Sequence, residues 1–217
     1  MMSGVEEFDE HENVHEKRGP ARMAEVLLFH HAHGLTPGVL AFAEELRGCG
    51  HTVHVPDLYE GRMFDTLEAG AGYAQEVGFG TIVERGVRAA ESLPGRIVYA
   101  GFSLGVLPAQ KLAQTREGAA GVLLFEACVP VEEFGGGWPA GVPVQVHGMD
   151  ADPFFAGEGD VEAARALVAG AGAGRGELFL YPGDRHLFAD PGLAGYDAEA
   201  AGLLTARVRG FLDGLAD

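Results

Sequence analysis

The chain has 217 residues, 47% of them hydrophobic, with 32 acidic against 15 basic side chains, a formal net charge of −17 and two cysteines. One α/β unit of this size buries roughly 70% of the surface its unfolded chain exposes, so no disulfide scaffold is needed. The charge repels nucleic-acid phosphates and anionic lipid heads, no apolar run is long enough to span a bilayer, and the first residues lack a signal-peptide pattern. The expectation is a cytoplasmic monomer or small homo-oligomer with no nucleic acid or membrane partner.

Residues 1–22 carry Glu6, Glu7, Asp9, Glu10, Glu12 and Glu16 and offer almost nothing to bury. They predict a disordered or loosely packed acidic leader ahead of a single domain over 23–217, with Met23 as an alternative translation start. A strand follows over 25–30. Thr36 is placed to cap a helix with Pro37 in its first position, continuing through Val39 to Leu46 and ending at Gly48-Cys49-Gly50. A second strand, Thr52 to Val55, runs into Pro56-Asp57-Leu58-Tyr59. Residues 60–77 are mixed and Gly-rich, which predicts a loop with at most a turn of helix.

Helical spacing returns over 82–93, and Arg96 to Ala100 reads as a buried strand. It empties into Gly101-Phe102-Ser103-Leu104-Gly105, and helical spacing resumes through Leu112. A G-x-S-x-G pattern between strand and helix is the signature of a nucleophile elbow, in which small flanking residues let the chain turn sharply enough to expose the serine hydroxyl. Further strands are expected over 121–125, 142–147 and 178–181, and helices over 161–168 and 198–212. Strand alternating with helix predicts a mostly parallel sheet covered on both faces, with ligands bound beyond the carboxyl ends of the strands.

A nucleophilic serine needs a base and an acid that orients the base. His186 follows the last strand and is the candidate base. The acid is Asp150 or Asp152, both after the strand ending at His147; Asp152 is favoured because it stands deeper in the loop. His147, inside an apolar strand, reads as a core histidine. The cluster His30-His31-Ala32-His33 supplies too few ligands on one strand face to hold a metal. His31 is instead expected at the mouth of the cleft and His30 on backbone. Glu126 is a possible pocket residue, Cys128 a buried filler and Trp138 a loop-packing aromatic.

Pro56-Asp57-Leu58-Tyr59, the elbow at Ser103, Asp152 with Phe154, and His186 with Phe188 together resemble the dienelactone hydrolase family of α/β-hydrolases, over roughly residues 24–215. The resemblance implies a compact α/β-hydrolase fold without a large cap domain, and a Ser103, Asp152 and His186 triad. It also implies an oxyanion hole from the backbone N–H groups of Leu104 and Ala32; His31, Glu126 and Phe154 are expected toward the substrate. No metal or organic cofactor is required. The family carries cysteine where this chain has Ser103, glutamate where it has His31, and a substrate-binding arginine where it has Asp190. The nucleophile change shifts activation onto His186, and the charge reversal at 190 points to an uncharged ester or lactone. A thioesterase or acyltransferase would share the acyl-enzyme, and a non-catalytic ligand-binding protein is the contrasting class; labelling of Ser103 by a fluorophosphonate separates the last from the others.

With His186 as base, kcat/KM is expected to rise with pH through an apparent pKa near the ordinary value of about 6.5. Deleting residues 1–22 is expected to leave thermal midpoint and turnover nearly unchanged. Calorimetry and an ester assay check this, and a large loss in either refutes the leader.

Overall fold

The parity of apolar residues along each strand decides the layering. In the computed structural model, which describes residues 23–215, six strands form one parallel sheet: β1 (Glu25–Phe29), β2 (Thr52–His54), β3 (Ile97–Phe102), β4 (Ala119–Phe125), β5 (Val144–Met149) and β6 (Gly176–Tyr181), in the order β2-β1-β3-β4-β5-β6. The leader expected over 1–22 lies outside the described residues. Successive side chains of a strand point to opposite faces. Leu27, Phe29, Ile97, Tyr99, Val122, Leu124, Val144 and Val146 therefore share one face, and Val26, Leu28, Val98, Ala100, Phe102, Leu123 and Phe125 the other.

Helices cover both. The first face packs against α2 (Leu67–Val77), α3 (Phe79–Ala90), α4 (Val106–Thr115) and α5 (Asp160–Gly170); the second packs against α1 (Pro37–Gly48) and α6 (Ala198–Gly214). This is the parallel, doubly covered sheet expected from the sequence. Among the described residues no helix is long and apolar enough to cross a membrane.

Local capping sets the helix starts. Thr36 accepts from the Val39 N–H at the head of α1, with Pro37 in the first turn, and Asp197 accepts from the Glu199 and Ala200 N–H groups at the head of α6. These side chains satisfy donors that a helix start leaves unpaired.

One helix departs from expectation. Residues 67–77, read as loop, form α2, capped by Thr66 and carrying Glu68 in its first turn. Gly70 and Gly72 lower its helical propensity, but Gly70 has a packing reason. A Cβ there would lie 1.8 Å from the Ala32 carbonyl oxygen. The Tyr59 hydroxyl, buried beneath, donates to the Gly70 carbonyl at 3.0 Å, and Asp57 accepts from the Tyr59 and Gly61 N–H groups. The Pro-Asp-Leu-Tyr segment thus seats α2 on the loop after β1.

Because the chain adds β2 outside β1 and then returns to β3 on the other side, β1 and β3 flank the point where strand order reverses. A crevice opens beyond the carboxyl ends of such a pair. Ala32 lies just past β1 and Ser103 just past β3.

Substituting Gly70→Ala is expected to lower unfolding free energy by about 1–3 kcal/mol through overpacking. Gly72→Ala, where a Cβ meets nothing within 4 Å, is expected to be neutral or to stabilise by up to about 1 kcal/mol. Urea denaturation of the two variants checks the contrast.

Candidate active site

The elbow is a steric construction. Ser103 has φ of +46°, in the left-handed region, where a non-glycine residue is strained. A Cβ at Gly101 would sit 2.1 Å from the Gly105 carbonyl oxygen, and one at Gly105 would sit 2.5 Å from the Phe29 carbonyl oxygen. Any larger residue at either position would force β3, α4 and β1 apart. Residues 103–105 make one 3-10 turn that leads directly into α4.

Three strand ends converge here. The Ser103 hydroxyl lies 2.9 Å from His186 Nε2, and His186 Nδ1 lies 2.7 Å from Asp152 Oδ2. An acid acceptor at Nδ1 fixes the tautomer: Nδ1–H donates to Asp152, leaving Nε2 to accept the Ser103 proton. Asp152 is fully buried, and its second oxygen accepts from the Phe154 N–H at 2.9 Å. The Phe154 ring lies 4.8 Å from the imidazole. Asp150, the other candidate acid, accepts from the Gly183 N–H instead.

Burial works against a charge on His186, but the hydrogen bond to Asp152 and the carboxylates of Glu126, Asp152 and Asp160 outweigh it and leave its pKa above the ordinary value. The Glu126 share is present only where that group is ionised. Burial pushes the Glu126 carboxyl up to about 8, against the favourable influence of His186 and the Phe188 N–H.

Glu126 follows β4 with φ of +62° and is 1% exposed. One oxygen accepts from the Phe188 N–H at 2.7 Å, two residues past His186; the other, Oε2, is buried without a hydrogen-bond partner among the described residues. Glu126 therefore pins the histidine loop, which Asp197 N–H to the Phe188 carbonyl and Arg185 N–H to the Met149 sulfur also hold.

A cavity of about 400 Å³ opens on Ser103, with Ala32, Leu104, Glu126, Phe154 and His186 in its wall. Leu67 and Glu68 of α2, Phe79 of α3 and Glu158 and Asp160 near α5 complete it. The α2 contribution escaped the sequence reading, although Thr66 followed by Leu67 and Glu68 is a usable capping signal.

His31, expected at the mouth, is instead fully buried. Its Nε2–H donates to Asp190 at 2.9 Å and its Nδ1 accepts from the His33 N–H. Asp190 also accepts from the Thr36 hydroxyl at 2.6 Å and from the Gly192 N–H at 2.7 Å. Burial opposes its charge, but these donors hold its pKa below the usual carboxylate range. Asp190 thus faces an internal partner rather than the cleft, and charge reversal at this position says nothing about the substrate.

His30, His33 and His147 are held by protein groups. His30 donates to the His31 carbonyl and accepts from the Leu58 N–H, and His33 donates to the Phe64 carbonyl. His147 pairs with Tyr181 and Gln145, and burial pushes its pKa down to about 3, so it is a neutral core residue. The Cys128 N–H donates to Asp160, and the Trp138 indole donates to the Val142 carbonyl.

The sequence matches the family model described as "Dienelactone hydrolase family" over residues 13–215. No curated protein sequence matches it significantly. Among solved structures, the dienelactone hydrolase-like promiscuous phosphotriesterase P91 from metagenomic libraries is similar at 20% identity and a TM-score of 0.68, over 93% of this chain and 90% of that one. The Thermogutta terrifontis esterase Est2 with propionate bound is similar at 18% identity and a TM-score of 0.63, over 92% and 86%. TT1662 from Thermus thermophilus gives 18% and 0.66, over 91% and 90%. At these identities the likeness is one of fold.

Substituting Asp190→Ala would leave the His31 N–H buried without an acceptor, an expected loss of about 2–3 kcal/mol. The effect is read as a lower urea midpoint at neutral pH. The wild-type contribution is present above the unfolded aspartate pKa and is lost as pH falls through the lower folded one.

Proposed function

Because the chain belongs to the dienelactone hydrolase family, we propose that it is a serine hydrolase that cleaves small esters or lactones through an acyl-enzyme. The observation that carries the reading is the unbroken hydrogen-bonded line from Ser103 through His186 to the buried Asp152, at the wall of a cavity large enough for a short acyl chain.

In the first half-reaction the Ser103 oxygen attacks the ester carbonyl as its proton passes to His186 Nε2. Asp152 holds the ring in position and stabilises the imidazolium. The carbonyl oxygen becomes an oxyanion, received by the backbone N–H groups of Leu104 and Ala32; one such donor is commonly worth about 3 kcal/mol of transition-state stabilisation. The start of α4 directly after the elbow adds the positive end of a helix dipole. His186 then gives its proton to the leaving alcohol. In the second half-reaction it takes a proton from water as that water attacks the acyl-enzyme, and returns the proton to the Ser103 oxygen as the bond to the acyl group breaks and the acid leaves.

Serine fits this relay better than thiolate chemistry would. A serine hydroxyl is too weak an acid to ionise unaided and depends on the neighbouring base. His186 is one hydrogen bond from the Asp152 carboxylate and one from Ser103, which meets that need.

Ser103→Ala is expected to lower kcat on a small activated ester by roughly 10⁴-fold or more, and stoichiometric labelling by a fluorophosphonate is expected only with Ser103 present. The base works in its neutral form and its pKa is raised, so kcat/KM is expected to climb with pH through a midpoint above the ordinary histidine value of about 6.5. Wild-type turnover in Ser103→Ala would end the proposal.

A further inference from the structure

Among the described residues the cavity wall holds no lysine or arginine and four acidic side chains, Glu68, Glu158 and Asp160 together with Glu126, whose carboxyl burial keeps largely protonated at neutral pH. On a chain with 32 acidic residues, four carboxylates alone would be unremarkable surface chemistry. Glu126 is different. It is 1% exposed and borders the cavity beside Ser103 and His186, and its Oε2 has no hydrogen-bond partner among the described residues while Oε1 is taken by the Phe188 N–H. A buried polar atom without a partner is costly, and an ammonium arriving in the cavity both supplies the missing donor and, by its charge, drives off to solvent the proton that burial otherwise keeps on this carboxyl at neutral pH.

Resting on the reading of the site as an esterase, we propose that the preferred substrate is an ester carrying a primary or secondary ammonium group, whose N–H bonds to Glu126 Oε2 and whose charge is met by Glu158, Asp160 and Glu68. The apolar wall of Leu67, Phe79 and Phe154 packs the carbon chain between the ammonium and the scissile bond. Asp190 plays no part, since it is engaged by His31 and Thr36. An anionic ester is disfavoured by Glu68, Glu158 and Asp160.

The test compares isosteric esters that differ only in replacing a terminal methyl by ammonium. Phenyl butanoate is set against phenyl 3-aminopropanoate for the acyl side, and butyl butanoate against 3-aminopropyl butanoate for the alcohol side, all followed by pH-stat titration at neutral pH. In one of the two pairs the ammonium ester is expected to have the higher kcat/KM by about tenfold, shrinking toward unity as salt is raised to about 0.5 M. That ratio is expected to fall severalfold in Glu126→Gln, which retains an acceptor for Phe188, and also in Glu158→Gln on the exposed rim. Ratios at or below one in both pairs, or a ratio untouched by both variants, overturn the inference while hydrolysis of the neutral butanoates leaves the esterase reading intact. Failure to cleave any of the four esters overturns both.

Discussion

A serine with a left-handed backbone between two glycines is the constraint on which the rest of the molecule depends. The sharp turn at Ser103 is sterically possible only where β1, β3 and α4 come close enough that the Phe29 carbonyl and the Gly105 carbonyl occupy the space of absent side chains. Close packing at the elbow and exposure of the hydroxyl are one requirement rather than two. The apolar parity of the strands supplies the force that keeps those elements together: β1, β3, β4 and β5 bury both faces, so the sheet cannot slip by a residue without turning one apolar set out of its layer.

Strain is concentrated at the same rim. Of the four described non-glycine residues with positive φ, Ser103, Glu126 and Leu187 stand after β3, after β4 and beside His186. Such conformations persist only where surrounding contacts over-determine them. Here Glu126 provides one of those contacts, since its side chain bonds the N–H next to Leu187. The histidine loop after β6 is thereby fixed from the end of β4, two strands away, which keeps the imidazole in line with Ser103 before any substrate arrives.

Much of this was legible in the chain itself. Short strand-like runs, most of them continuously apolar, placed all six strands, and the elbow glycines, the loop aspartate and the loop histidine were visible as residue types at strand ends. What stayed hidden depended on partners distant in sequence. Asp190 and His31 are 159 positions apart, and no local pattern distinguishes a carboxylate facing a cleft from one facing a buried imidazole. The helix α2 was obscured because Gly70 is chosen for the Ala32 carbonyl above it rather than for helix formation. Glu126 could be suspected only from its place after a strand; its burial and its bond to Phe188 follow from how the loops fold over the sheet.

The seating of α2 has an evolutionary consequence. Leu67, Glu68 and Ala71 shape one side of the cleft, and between them Gly70 rests on the carbonyl of Ala32, the residue proposed to offer an N–H to the developing negative charge. Mutations that tilt this helix outward to admit a bulkier molecule would also shift that amide, so broadened scope on this flank is coupled to slower chemistry.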